Sequence, residues 1–272
     1  MDNILLLTAA GFIIGSFGTL IGAGGGFILV PLLILANKGM SPTIITAISI
    51  AVVAANAISG SVAYSRAKRI DYRAGLLFGL FTIPGSIGGV FLTKYIPLHL
   101  FNICFGVLLL VLGVYLFLKS KMDKMDKAGA IGGPRLQFQT ITDRQGRVYT
   151  YSYNQVYGIM ISIVVGFLSP LLGIGGGIIH VPAMINWLRF PVFIATATSH
   201  FILAIMATAS VMMHIIQGSY SDPHILKIVI WLCIGVIPGA QLGAFISHKI
   251  ETTVIVKVLA ICLALVGLRI LL

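Results

Sequence analysis

The chain is poor in charge. Of its 272 residues only 9% are Asp, Glu, Lys or Arg, and only seven are acidic. Soluble domains carry about a quarter charged residues, so a water-soluble globule is excluded. Cysteine is scarce as well. Cys104, Cys233 and Cys262 each lie in an apolar run, with no CxxC or metal spacing. They read as small packing residues, and neither a disulfide frame nor a metal centre is expected. No carboxylate falls inside an apolar run: Asp2, Asp71, Asp123, Asp126, Asp143, Asp222 and Glu251 lie at ends or in loops. That argues against a proton relay on a buried carboxylate and against a cation as substrate. No Lys or Arg lies deep in a run either, so an anion would have to be recognised by backbone amides, hydroxyls and histidine.

Apolar length is abundant. Hydrophobic residues make up 58% of the chain, in charge-free runs at 4–37, 39–65, 74–93, 95–118, 154–188, 190–221 and 228–248, with a mixed stretch at 252–272. A helix needs roughly 20 such residues to cross a ~30 Å hydrocarbon layer. The ten-residue alternation of a membrane β-barrel is absent. The chain therefore reads as an all-α polytopic protein of the cell membrane, with the lipid bilayer as its surroundings. The net charge of +11 is loop charge that sets orientation, and nucleic acid is not expected as a partner. Met1-Asp2-Asn3 opens without a basic segment or a small-residue cleavage site, so the first run is expected to be a retained span.

The sequence repeats itself. Gly22-Ala-Gly24-Gly25-Gly26 leading to Val30-Pro31 matches Gly173-Ile-Gly175-Gly176-Gly177 leading to Val181-Pro182. Ile83-Pro84-Gly85 with Gly89 and Phe91 matches Ile237-Pro238-Gly239 with Gly243 and Phe245. Between these anchors Thr46-Ala-Ile-Ser49 stands opposite Thr196-Ala-Thr198-Ser199. The expected organisation is a first membrane repeat at 1–118, a cytoplasmic linker at 119–153 and a second repeat at 154–272. In the linker, Lys119–Lys127 reads as a charged helical extension. Leu136–Ile141 and Val148–Tyr153 alternate around Asp143-Arg-Gln-Gly146, as a β-hairpin does. Two strands alone are marginal in water, so the hairpin should pack on the membrane domain or on a second copy in a homo-oligomer.

A straight helix from Ile4 to Leu35 would be about 48 Å long at ~1.5 Å per residue, too long for the bilayer. The break belongs at the glycines, and each half is expected to hold a broken or re-entrant first helix plus three spanning helices. If the first run dips in and returns, the halves are inverted repeats; if it crosses, they are parallel. The inverted arrangement puts 14 basic residues inside and four outside, the parallel one 13 and five. The inverted form is the expectation, because the over-long runs need a break in any case.

Three consecutive glycines weaken a helix, which packing alone does not explain. Gly24, Gly25 and Gly26, with Gly175, Gly176 and Gly177, read as mid-membrane breaks whose free amides face an anion. Simple close packing suffices for Gly11 with Gly15, Gly85 with Gly89, and Gly239 with Gly243. Neither cluster forms GxGxxG and no GK[ST] follows, so no nucleotide or other cofactor is expected. Thr46, Ser49, Thr198 and Ser199 are candidate donors to oxyanions, against the alternative of bonding back to their own helix. Asn56 is a candidate neighbour. His180 and His200 lie near the second cluster and are the candidates for proton coupling; His214 is also within a run, and His99, His224 and His248 lie at run ends.

These residues resemble the sulfite exporter TauE/SafE family of bacterial and archaeal membrane transporters, whose members carry a G-x-GGG-xxx-VP-type signature in each half. Gly22, Gly24–Gly26, Val30 and Pro31 fit it, as do Gly173, Gly175–Gly177, Val181 and Pro182, and Thr198-Ser199 fits the following Thr-Ser stretch. Ile48-Ser49 departs from it. The resemblance implies a carrier of small sulfur-containing anions such as sulfite, thiosulfate, sulfoacetate or another organosulfonate, working by alternating access. An anion channel is the alternative. A membrane enzyme is less supported, since only His200 beside Ser199 approaches a nucleophile–base pair. The inverted arrangement predicts that reporter tags at residues 1 and 272 both read the extracytoplasmic side; a cytoplasmic signal from both rejects it.

Overall fold

In the computed structural model, residues 3–37, 39–119, 136–247, 260 and 263–270 are described. The lysine-rich stretch after Lys119 and the residues around His248 and Cys262 lie outside these. The chain forms α1 (Ile4–Ile21), α2 (Gly26–Ala36), α3 (Pro42–Arg66), α4 (Tyr72–Thr93), α5 (Leu98–Lys119), β1 (Leu136–Thr142), β2 (Val148–Asn154), α6 (Gln155–Leu172), α7 (Gly177–Asn186), α8 (Val192–Ile216) and α9 (Pro223–Ile246). Seven of the described helices are long and apolar enough to span a membrane; α2 and α7 are shorter. The protein is a polytopic helical membrane protein.

Local chemistry sets the ends. Asn3, Asp71, Asn154 and Asp222 cap α1, α4, α6 and α9, each side chain accepting a first-turn amide. At the other end of α1, Gly22 takes the left-handed conformation, and Gly24 and Gly25 follow at φ +80° and +84°. Gly173, Gly175 and Gly176 repeat the pattern after α6. Residues with a Cβ rarely adopt these angles. The return is tight: a Cβ on Gly25 would lie 3.0 Å from the Ile14 carbonyl oxygen, two turns back in α1. The chain therefore folds back at this point, and α2 starts alongside α1.

Lipid gives helices little hydrophobic reason to associate, so close backbone approach must hold them. Gly11 and Gly15 of α1 face Leu232 and Val236 of α9, and Gly239 and Gly243 of α9 face Phe12 and Ser16. The contacts advance together, so α1 and α9 run in the same direction. Gly85 and Gly89 of α4 face Ile163 and Phe167 of α6, again in the same direction. Thus each half's first helix packs on the other half's fourth. Ser59 and Ala51 of α3 meet Gln241 and Cys233 of α9, so α3 also runs with α9. Gly75 and Gly79 of α4 meet Phe201 and Ile205, which aligns α8 with α4. Short loops at 67–71 and 217–222 reverse the chain, so α3 and α8 are antiparallel at the centre of the molecule. At the periphery, Gly113 of α5 lies against Ala260 and Ala264, and Gly267 against Gly106.

The main apolar core joins α1, α2, α3, α7 and α9, with Phe27, Leu29, Ile48, Ile178 and Val236 inside it. Many large apolar side chains, among them Leu5, Leu80, Phe91 and Ile216, remain exposed on the outer helix faces, as lipid contact requires. Cys104 is exposed on that surface and Cys233 is half-buried, and both are free thiols. The hairpin packs down onto the bundle: the Tyr151 and Tyr153 rings lie 4.6 and 4.9 Å from that of Phe190, between α7 and α8.

A paired substitution checks the role of the glycines. A Cβ on Gly85 would sit 2.5 Å from the Ile163 carbonyl oxygen, whereas one on Gly88 would meet nothing closer than 3.7 Å. Gly85→Ala should therefore destabilise by about 1–3 kcal/mol, and Gly88→Ala should leave the melting temperature unchanged or raise it slightly.

Candidate functional site

The two glycine turns meet each other. A Cβ on Gly26 would strike the Gly173 and Ile174 backbone, and one on Gly177 would strike Gly22 and Ala23. Val53 of α3 lies against both Gly24 and Gly175. All six glycines of the triplets are buried. Gly25 and Gly176 occupy the cap positions before α2 and α7 and supply no side-chain cap. No side chain caps either start; the Gly177 amide turns to the Gly175 carbonyl, and both positive helix ends point into the molecular centre.

The hydroxyls of α3 and α8 divide by role. Thr46 donates to the Pro42 carbonyl of its own helix at 2.9 Å. Ser49 donates to the Gly173 carbonyl at 2.5 Å and so ties α3 to the second turn. Thr198 accepts the Asp71 amide at 3.0 Å, joining α8 to the start of α4. Ser199 is buried and its hydroxyl has no partner. It lines a narrow cleft with Gly176, Gly177 and His180 of α7 and with Ile202, Leu203 and Met206 of its own helix. The space between them has no room for a water-sized sphere.

A second polar cluster forms around the next residue of α8, His200. Thr19, one turn before the first break, donates to Asn56 Oδ1 at 2.7 Å and lies 3.2 Å from His200 Nε2. All three side chains are fully buried. Thr19 has one proton, and if it goes to Asn56 then His200 carries its own on Nε2, leaving Nδ1 as the basic nitrogen. Asn56 Nδ2 has no partner. Tyr64 closes the cluster: its hydroxyl donates to the Thr19 carbonyl at 2.7 Å and its ring meets His200 edge-on. His180 stands 3.4 Å from Ser162 of α6. Buried donors left unpaired are expensive in an apolar interior, and here they gather around two helix starts. Among the described residues no group of three His, Cys, Asp or Glu side chains could hold a metal ion.

The structure thus gathers the glycines, Ser199, His200, His180 and Asn56 around the crossing. Thr46 lies beside Gly173, Ser49 bonds to that residue's carbonyl, and Thr198 faces the loop end of α4. Sequence reading passed over Thr19, Ser169, Asp71 and Arg69. Thr19 carried a signal: it lies four residues after Gly15 on the small-residue face of α1, where any polar group must enter the bundle. Ser169, buried and without a partner, lies under Gly176. Asp71 and Asp143 sit in loops as their positions indicate, yet both are buried, because the hairpin that carries Asp143 docks over the start of α4.

The family model described as Sulfite exporter TauE/SafE matches residues 7–270. The chain belongs to this family. It is 34% identical to the probable membrane transporter protein YunE of Bacillus subtilis, over 97% of this chain and 96% of that protein. A probable membrane transporter protein of Methanocaldococcus jannaschii is 26% identical, over 98% of this chain and 95% of its own. YfcA of Escherichia coli, also a probable membrane transporter protein, is 24% identical over 90% of this chain and 81% of its own. No solved structure matches. The protein is accordingly a multi-pass membrane transporter of the TauE/SafE family, resident in the cell membrane.

The bond pattern separates hydroxyls that join elements from hydroxyls that bond within their own helix. Thr19→Val removes the group bridging Asn56 and His200 and should lower transport roughly tenfold or more, the loss expected when buried partners are left unpaired. Thr46→Val, which removes only a bond within α3, should keep transport within about twofold. Flux into proteoliposomes, normalised to inserted protein, checks both.

Proposed function

We propose that this transporter carries small sulfur-containing oxyanions, such as sulfite, thiosulfate, sulfoacetate or a similar organosulfonate, by alternating access between two inverted halves. The substrate is held where the two glycine breaks cross. The observation that carries this reading is the set of buried donors at the crossing: the uncapped starts of α2 and α7, the Ser199 hydroxyl and the Asn56 amide. No carboxylate among the described residues faces them, so the local potential favours an anion. The inverted arrangement draws support from the opposed directions of the equivalent helices α1 and α6, and α3 and α8. The family description points to sulfite as the type of cargo.

In this mechanism the anion replaces its water shell with amides and hydroxyls that the fold has already paid to desolvate. Basic residues then give the direction. Arg66, Lys68, Arg69, Arg73, Arg144, Arg147 and Arg189 all fall on the hairpin side, which is therefore the cytoplasmic one. His200, with Nδ1 free to accept a proton, and His180 are the groups available for coupling to protons.

Two measurements test the reading. Sulfite or thiosulfate should raise the melting temperature of the purified protein selectively over chloride and taurine. Gly25→Leu and Gly176→Leu should each insert normally yet abolish flux. Wild-type flux through both variants, or no anion-selective stabilisation, contradicts the assignment.

A further inference from the structure

Arg69, in the loop between α3 and α4, is the single buried Lys or Arg among the described residues, 4% exposed. It is under-partnered for a guanidinium. One nitrogen lies 3.4 Å from Asp143 Oδ2, its carbon stands 5.2 Å over the Phe193 ring, and Nε has no partner. Charge-assisted bonds of this type normally close to about 2.7–2.9 Å, and a guanidinium grips a carboxylate with two parallel bonds. This pair is single and long.

Asp143 is in a different position. Its Oδ1 accepts the amides of Gln145 at 2.8 Å and Arg147 at 3.0 Å, within the hairpin's own turn. Burial opposes its charge, but those amides and Arg69 outweigh burial and hold the carboxyl below the usual carboxylate range. If the hairpin moves, the carboxylate keeps two of its partners and the guanidinium keeps none of like strength. The hairpin docks through the Arg144 amide to the Ala67 carbonyl, the Tyr151 hydroxyl to Asp71 Oδ2 at 2.7 Å, and the Tyr151 and Tyr153 rings set in an apolar cluster with Phe78 and Phe190. Burial and the adjacent Asp71 carboxylate both push the Tyr151 hydroxyl up, so it remains a neutral donor. The Arg69 amide also donates to the Tyr64 carbonyl at 3.2 Å. Tyr64 in turn contacts Thr19 and His200. A buried cation thus stands at the loop end of a line of side chains leading to the unpaired donors.

We propose that Arg69 is an anion-binding station at the hairpin-side mouth of the pathway, and that Asp143 occupies it as a tethered carboxylate which an incoming oxyanion displaces. The inference deepens the oxyanion-carrier reading and rests on it. A small oxyanion with two oxygens to offer satisfies both Nε and a terminal nitrogen, which the single Asp143 contact does not. The hairpin is then a cover that competes with substrate for one cation.

Isothermal titration of the purified full chain with thiosulfate and with sulfite tests this. Asp143→Asn keeps an oxygen for the Gln145 and Arg147 amides and removes the competing charge, and should tighten binding roughly fivefold or more. Tyr151→Phe loosens the cover with Asp143 intact and should tighten it by less. Arg69→Gln should weaken binding about tenfold, and the Arg69→Gln/Asp143→Asn double variant should be as weak as Arg69→Gln alone. A static strut predicts the reverse: Asp143→Asn unchanged or weaker while the wild type binds, which overturns the inference and leaves the carrier reading standing. If the wild type binds neither anion, both fall together. Should Asp143→Asn fail to melt cooperatively, Tyr151→Phe decides, and no tightening there overturns the proposal.

Discussion

In hydrocarbon, an interrupted helix survives only where its freed backbone groups are kept from lipid. The two glycine turns meet that condition by burying each other: Gly26 against Gly173 and Ile174, Gly177 against Gly22 and Ala23. The rest of the architecture serves the crossing. α3 and α8 run antiparallel beside it, Ser49 fixes the second turn through the Gly173 carbonyl, and Val53 packs on both. Glycine contacts hold α1 to α9 and α4 to α6, so each half is completed by the other.

The consequence is a centre rich in donors and poor in compensating acceptors. Helix dipoles from α2 and α7 converge there, and Ser199 and Asn56 add unpaired groups of their own. Such a centre is unfavourable when empty and improved by an anion. That is the sense in which fold and proposed cargo imply each other. Symmetry is broken in the details. Ser49 is spent on the turn while its counterpart Ser199 is free, and His200 stands where the first half has Ile50.

Much of the fold was legible in local pattern. Apolar run lengths, the glycine triplets and the small-residue spacing of α1, α4 and α9 are all short-range signals that the bilayer makes strict. The alternation around Gly146 marks the strands that the hairpin contains. The site was legible only in part. Thr19 reaches Asn56 across 37 residues and His200 across 181, and nothing in the local sequence of α1 announces those partners. Asp143 reads as a turn residue because it is one, its Oδ1 bound to the turn's amides; the second oxygen, which meets Arg69, acts only once the linker lies over the bundle. Asp71 likewise reads as a helix cap, and its bond to Tyr151 needs the same docking.

The account stands or falls on where an anion sits. A structure with selenite bound, located by the anomalous scattering of selenium, places it directly. The account predicts a peak at the crossing, within hydrogen-bond reach of Ser199 Oγ and the first amides of α2 or α7. Selenium confined to the outer loops or the lipid-facing surface, with the crossing still closed, contradicts it.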